Sequence, residues 1–265
     1  MRQYTAAIAQ IDTTAPWAEN LLRIEGYIDQ AADAGASLIA FPESFSQYLG
    51  GRTPSEDLSD SPTLKRMAAK ARQHGMWILC GSIFTPAPEG ERKYNTSVLL
   101  NPRGEIAGQY HKMHMFDVTL PNGDTRFESK RFCPGEEIVT VDTGLGCLGM
   151  SICYDVRFPE QYRTMAARGA QVFLIPSMFT KPTGRLHWEL LLRARAVENG
   201  CYVLAPNQID GRFGSYGHSM IVDPQGKILC ELGETEGMAL AEIDLDYLEQ
   251  VRRDMPSTQA AIYLK

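Results

Sequence analysis

The stretch Gly149-Met150-Ser151-Ile152-Cys153-Tyr154-Asp155-Val156-Arg157-Phe158-Pro159-Glu160 places a cysteine where an apolar run gives way to a polar turn broken by proline. The run reads as a strand and Pro159 suits the first turn of a helix, so Cys153 stands at a strand-to-helix junction. Such a position is rigidly held yet opens on a cleft, which is where layered α/β proteins place their chemistry. Amides left free at the junction and the positive end of the following helix favour a thiolate there. The plainer reading is that Cys153 is a small buried hydrophobe, as most free cysteines are.

Outward from this stretch, strands alternate with helices. Residues 4–11 read as a strand, and a helix follows with Pro16 near its first turn and Trp17, Leu21, Ile24, Ile28 and Ala31 at helical spacing. Residues 37–41 read as a buried strand ending at Pro42-Glu43, followed by a helix at 62–74 and a strand at 76–84. Asn101-Pro102-Arg103-Gly104 is a turn signal that makes a hairpin of 94–100 and 105–111. A loop at 117–135 precedes two strands within 136–153, then a helix (159–169), a strand (171–176), a helix (186–199) and a strand (201–206). A second hairpin turns at Asp223-Pro224-Gln225-Gly226, and a strand near 237–243 leads into a helix at 245–253. Helices between strands predict layered α/β, and the hairpins make its sheets mixed. No linker or repeat is evident, so 1–265 reads as one domain, with an extended arm over 255–265.

The chain has 265 residues and a net charge of -6, which disfavours nucleic acid or an anionic membrane as partner. No apolar run approaches the ~20 residues of a spanning helix, and Met1-Arg2-Gln3-Tyr4 lacks the pattern of a signal peptide. The six cysteines form no CxxC and mostly lie in apolar runs, which fits free thiols in a cytoplasmic protein.

Two further groups sit at strand ends. Glu43 follows Leu38-Ile39-Ala40-Phe41-Pro42, and Pro42 and Phe45 argue for a fixed, partly buried carboxylate rather than a solvated one. Such burial raises a carboxyl group toward the range of a general base. Lys112 ends the strand Ile106-Ala107-Gly108-Gln109-Tyr110-His111, and reads either as a snorkelling side chain or as a cation aimed at a developing oxyanion. A nucleophile, a base and a cation together suffice for acyl transfer from an amide without histidine. His111 and His114 flank Lys112 and keep a Cys–His pairing open; His187 and His218 read as structural. No strong zinc spacing appears, nor GxGxxG, GxxxxGK[ST] or GxSxG.

Three blocks carry a family resemblance: Phe41-Pro42-Glu43, Tyr110-His111-Lys112-Met113-His114-Met115-Phe116-Asp117, and Cys153 through Glu160. In this order they resemble the signature blocks of the nitrilase superfamily of carbon–nitrogen hydrolases. Residues 187–196 and 215–219 resemble its Nit branch, which contains omega-amidase and deaminated-glutathione amidase. The resemblance implies a four-layer αββα sandwich with two mixed sheets that forms a homodimer or a higher homo-oligomer. It implies Cys153 as nucleophile, Glu43 as general base, and Lys112 with the Tyr154 amide as oxyanion donors. It also implies that Glu128, in Phe127-Glu128-Ser129-Lys130, steers the lysine. The implied reaction is hydrolysis of a small carboxylated amide, either deaminated glutathione or a 2-oxo acid ω-amide, to acid plus ammonia through a thioester, with no metal or organic cofactor required.

Tyr48, Met178, Phe179 and Thr180 follow strand ends and are candidate substrate-binding residues, and the loop Asn122-Gly123-Asp124 is placed to shape the entrance. A substrate carboxylate calls for a cation, but Arg157 reads as a partner of Asp155 or Glu160. An N-carbamoyl amidase or nitrilase of the same family, a thiol or redox protein using Cys153, and an inactive binding scaffold are the competing readings.

Overall fold

The computed structural model describes residues 2–50, 52–88, 90–120 and 123–257. Most of the expected C-terminal arm, residues 258–265, and Asn122 of the entrance loop lie outside the described residues.

The first half of the chain runs β1 (Gln3–Gln10), α1 (Trp17–Asp33), β2 (Ala36–Ala40), α2 (Pro62–His74), β3 (Trp77–Pro86), β4 (Lys93–Leu100) and β5 (Ile106–His111). A ribbon of β6 (Asp117–Thr119) and β7 (Thr125–Phe127) follows. The second half runs β8 (Val139–Thr143), β9 (Gly146–Met150), α3 (Pro159–Ala167), β10 (Val172–Leu174), α4 (Lys181–Asn199) and β11 (Tyr202–Ala205). It closes with the ribbon β12 (Ile209–Asp210) and β13 (Ser215–Tyr216), then β14 (Met220–Val222), β15 (Ile228–Glu231), β16 (Gly237–Asp244) and α5 (Leu245–Asp254).

Two six-stranded sheets result, ordered β16-β1-β2-β3-β4-β5 and β8-β9-β10-β11-β14-β15. Both read antiparallel, parallel, parallel, antiparallel, antiparallel across neighbours. The helices also correspond, since α1 and α2 join the parallel strands of the first sheet as α3 and α4 join those of the second. The fold therefore repeats where the sequence shows no repeat, because a sheet's pairing pattern constrains hydropathy and turns rather than residue identity.

Alternation along each strand builds the layers. In β1, Ala7 and Ala9 pack with Leu21, Ile24, Ile28 and Met67 of α1 and α2. Ala6 and Ile8 face the other way, into the cluster containing Leu148, Met150 and Leu174 of the second sheet. The far side of that sheet is covered by α3 and α4 through Tyr162, Met165, Trp188 and Leu192. This is the expected αββα sandwich. The sheets approach closely at β5, the edge strand of the first: a Cβ on Gly108 would lie 2.5 Å from Val141 Cγ2 and 3.2 Å from Met150 Sδ.

Local signals explain the helix ends. Ser61 accepts the Leu64 amide at 3.0 Å and Pro62 occupies the first turn of α2. Arg66–Glu25 and Lys70–Asp29 pairs at 2.6 and 2.7 Å tie α2 to α1. The fourth helix begins at Lys181, five residues before its expected start, because Pro182 fits a first turn that needs no amide donor there. The two short ribbons and the 3-10 turns Glu128–Lys130 and Cys153–Arg157 have no counterpart in the sequence reading. Segments of two to five residues are too short to show a period.

Gly81 is the tightest point of the first sheet. A Cβ there would fall 1.8 Å from the Pro42 carbonyl oxygen, a backbone atom of the segment leading into Glu43. Gly81→Ala is expected to lower the urea midpoint by an amount equivalent to about 1–3 kcal/mol, the usual cost of overpacking. An unchanged midpoint in chemical denaturation would show that the 42–43 segment gives way freely.

Candidate active site

Glu43 leaves the C-terminal end of β2 on a turn fixed from two sides. The Ser44 amide donates to Ser82 Oγ at 2.9 Å, with Ser44 in the left-handed region at φ 54°. From the second sheet's side, the buried Gln208 donates its side-chain amide to the carbonyls of Glu43 and Ser44 at 2.5 and 3.2 Å. Gln208 is itself held by Thr13 Oγ1 at 2.9 Å. A non-glycine residue at positive φ costs on the order of 1 kcal/mol or more, so the surrounding bonds must impose it.

Lys112 follows β5. Its amide donates to Asn95 O at 2.9 Å and its carbonyl accepts from Gly135 at 2.8 Å. The Nζ donates to Glu43 Oε1 and to Glu128 Oε1, both at 3.0 Å, and the side chain is only 2% exposed. Asn95 Nδ2 adds a 2.8 Å bond to Glu43 Oε1, and the Phe116 amide holds Glu128 Oε2 at 2.7 Å. Burial opposes the charge on Lys112, but Glu128 and Glu43 outweigh it and hold the ammonium well above its ordinary range. Burial raises the Glu128 carboxyl; Lys112 pulls it back and Glu43 adds to the rise.

Cys153 opens the 3-10 turn after β9 at φ 50°, with its amide donating to Pro176 O at 3.0 Å. Asp155, wholly buried, fixes the turn: it accepts from the Ile152 amide at 2.9 Å, Tyr110 OH at 2.6 Å, and the His114 amide and Nδ1 at 3.1 and 2.7 Å. Tyr110 and His114 lie on either side of Lys112 in the chain, so one carboxylate aligns the cysteine turn with the lysine. The expectation of a thiolate favoured by a helix terminus is not met. Burial and the neighbouring Glu43, which also accepts a hydrogen bond from the sulfur, push the Cys153 thiol well above its ordinary value. Lys112 and the Met178 amide, which hydrogen-bonds the sulfur, only partly offset them. The resting group is a thiol beside a carboxylate, which calls for a base.

Glu43, Lys112, Glu128 and Cys153 line one cavity of about 410 Å³, as do Tyr154, Tyr48, Met178, Phe179 and Thr180. That volume falls in the usual range for small-molecule sites, about 300–1,000 Å³. Arg157 lines it too, and is not the partner of Asp155 or Glu160 that the sequence suggests. Asp155 is already saturated by other donors. Arg157 instead lies between the rings of Tyr154 and Phe179 at 5.5 and 5.3 Å, with Nη1 3.2 Å from His187 Nδ1. Burial draws its guanidinium down from its ordinary value.

Sequence reasoning missed Asn95, Asp155, Gln208 and the Met178 amide, whose partners are far away in the chain. The histidines beside Lys112 do not reach the sulfur. His111 Nδ1 meets Thr96 Oγ1 at 2.8 Å and stacks on Tyr94, while His114 stacks on Phe158. Among the described residues, no three His, Cys, Asp or Glu side chains are grouped to hold a metal, and no helix is long and apolar enough to cross a membrane.

A negative charge beside a thiol disfavours the thiolate, so its removal lowers the thiol pKa. Iodoacetamide alkylation of Cys153 is expected to rise only above the ordinary thiol value of 9.0, and Glu43→Gln to shift that profile to lower pH. A Glu43→Gln profile that is unchanged or shifted upward would contradict the charge placement.

A family model described as carbon-nitrogen hydrolase matches residues 5–253. Deaminated glutathione amidases resemble the chain throughout. One from Synechocystis is 41% identical over all of both proteins, and that of Homo sapiens is 38% identical over 96% of this chain and 80% of its own. Among solved structures, Saccharomyces cerevisiae Nit3, described as a member of branch 10 of the nitrilase superfamily, superposes with a TM-score of 0.89. It is 31% identical and the match covers 98% of this chain and 97% of that one. An amidase from Nesterenkonia sp. AN1 is 29% identical with a TM-score of 0.77 over 97% of this chain and 99% of that chain. In a glutamate-to-glutamine variant, that amidase carries the Michael adduct of acrylamide at its active-site cysteine. This chain belongs to the carbon–nitrogen hydrolase family of the nitrilase superfamily.

Proposed function

We propose that the protein cleaves the amide bond of a 2-oxo acid ω-amide, deaminated glutathione foremost, with Cys153 as nucleophile and Glu43 as general base. The observation that carries this reading is the buried Glu43–Lys112–Glu128 cluster opening on the same cavity as the Cys153 thiol. The names of the full-length relatives support the substrate.

Glu43 takes the Cys153 proton as sulfur attacks the amide carbonyl. The oxyanion is held by the Lys112 ammonium and the Tyr154 amide, the next backbone N–H after the sulfur. Glu128 steers Lys112, so that the cation remains aimed at the carbonyl. As the intermediate collapses, the C–N bond breaks and Glu43 returns its proton to the departing nitrogen. Water then attacks the thioester, Glu43 accepts its proton, and the released sulfur regains a proton. For deaminated glutathione the departing nitrogen is the amine of cysteinylglycine. Ammonia, expected from the sequence for all substrates, would leave only from a primary amide such as 2-oxoglutaramate.

Arg157 binds the 2-oxo acid carboxylate. It is partly buried in the cavity wall, flanked by the rings of Tyr154 and Phe179, and pairs with no carboxylate among the described residues. Tyr48, Met178, Phe179 and Thr180 shape the pocket around it.

Incubation with deaminated glutathione and with 2-oxoglutaramate, with products followed by chromatography, tests the reading. Cys153→Ala is expected to abolish turnover. Lys112→Met should lower kcat by roughly 10²–10³, the usual loss of an oxyanion donor. Arg157→Gln should raise KM about tenfold or more, as befits a charge-assisted hydrogen bond. Turnover surviving in Cys153→Ala would overturn the proposal, as would carbon dioxide and ammonia released from carbamoylated substrates in preference.

We also read the chain as a single hydrolase domain that works as a cytoplasmic homodimer. Six free cysteines fit a reducing compartment, and Leu186, Leu190 and Val197 form an exposed apolar stripe on α4 that suits a second copy. Sedimentation is expected to give a dimer at micromolar concentration; a monomer there, or cell fractionation outside the cytoplasm, would refute the corresponding reading.

A further inference from the structure

We infer that the mouth of the cavity holds a second anion subsite, formed by Arg131 and Arg212 around the Tyr48–Phe213 ring pair, which binds a carboxylate on the leaving group. The inference rests on the amidase reading above and extends it from the acyl half of the substrate to the amine half.

Charge motivates it. The chain as a whole is acidic, with a net charge of -6. Its cavity nevertheless presents Arg126, Arg131, Arg157, Arg212 and Lys112 against only two carboxylates, Glu43 and Glu128. Both carboxylates are engaged by Lys112. Substrate positioning at Arg157 would neutralise one guanidinium, and the cavity would still be cationic. Low-dielectric walls focus such a field on an incoming anion.

Geometry groups the remaining cations. Arg131 Nη1 donates to the Gly50 carbonyl at 2.7 Å, and its guanidinium lies 5.7 Å from the Phe132 ring centre. The Phe213 ring lies beside Gly50 and meets Tyr48 edge-on at 4.8 Å. Arg212 lies 5.2 Å from the centre of that same Phe213 ring. Arg131 and Arg212, from chain segments 81 residues apart, therefore converge on one aromatic patch. Neither pairs with a carboxylate among the described residues. Arg126 contributes less, since it is exposed and already 3.9 Å from Asp124.

Arg157 belongs to a different wall, between Tyr154 and Phe179. Two separate cationic points in one cavity fit an amide with a carboxylate at each end. One belongs to the 2-oxo acid, and the other to the amine that departs, whose body can pack on the Tyr48 and Phe213 rings. A primary amide, whose leaving group is ammonia, makes no use of the second point.

The test compares deaminated glutathione with an analogue whose terminal glycine carboxylate is a carboxamide, and includes 2-oxoglutaramate as a substrate without that half. Wild-type enzyme is expected to prefer the carboxylate over the carboxamide by about tenfold in kcat/KM, mainly through KM, with the preference shrinking at high salt. In the Arg131→Gln, Arg212→Gln double variant that ratio should fall toward one. Each single variant should reduce it in part, which keeps the test valid if the double variant folds poorly. A ratio near one in the wild type, or an undiminished ratio in variants that retain turnover of the carboxamide, would overturn the subsite while leaving the amidase reading intact. If the wild-type enzyme cleaves none of the three substrates, the amidase reading fails and the subsite falls with it.

Discussion

The Lys112 ammonium, shared between Glu43 and Glu128 at 3.0 Å each, is the interaction on which the site depends. Removing a lysine and two carboxylates from water is costly, and attraction repays it only when all three remain in contact and their other lone pairs are satisfied. Asn95 and the Phe116 amide supply those remaining bonds. Loss of one partner from such a cluster leaves uncompensated charge, typically about 3–5 kcal/mol. The cluster therefore fixes the lysine by electrostatics that tolerate little displacement. It also places a carboxylate beside a thiol that is itself buried and reluctant to ionise.

The two sheets must hold their relative positions for this arrangement to persist. Glu43 and Lys112 come from the first sheet, and Cys153 from the second. Two buried polar residues bridge them. Gln208 reaches from beyond β11 to the backbone around Glu43, and Asp155 reaches from the cysteine turn to Tyr110 and His114. Each meets several donors or acceptors at once, so a shift of one sheet against the other would break several bonds together. The close approach at Gly108 serves the same end by letting β5, which delivers Lys112, lie against the second sheet.

Much of the fold was legible in the chain because hydropathy period and turn chemistry are local. The strand before Glu43, the hairpin at Asn101-Pro102-Arg103-Gly104 and the helix from Pro62 to His74 all followed from neighbours in sequence. The start of α4 was misplaced because its first turn has no apolar period of its own. The state of the Cys153 thiol was misread for a different reason. A helix terminus is a local feature, whereas the burial that chiefly opposes ionisation, and the Glu43 charge that adds to it from 110 residues away, both depend on the fold. Arg157 was likewise assigned to acids nearby in sequence, although Asp155 had been taken by donors from β5 and the segment after it.

Covalent order alone sufficed for the succession of elements, for Glu43, Lys112 and Cys153 as strand-end groups, and for the family they resemble. Strand ends and signature blocks are short-range properties of covalent neighbours. Which charges face one another is settled only by the folded arrangement: Lys112 lies between two carboxylates, Arg157 faces the cavity, and Arg131 and Arg212 line that same cavity. Coulomb energy and desolvation depend on distance through space and on what excludes water, and chain separation specifies neither.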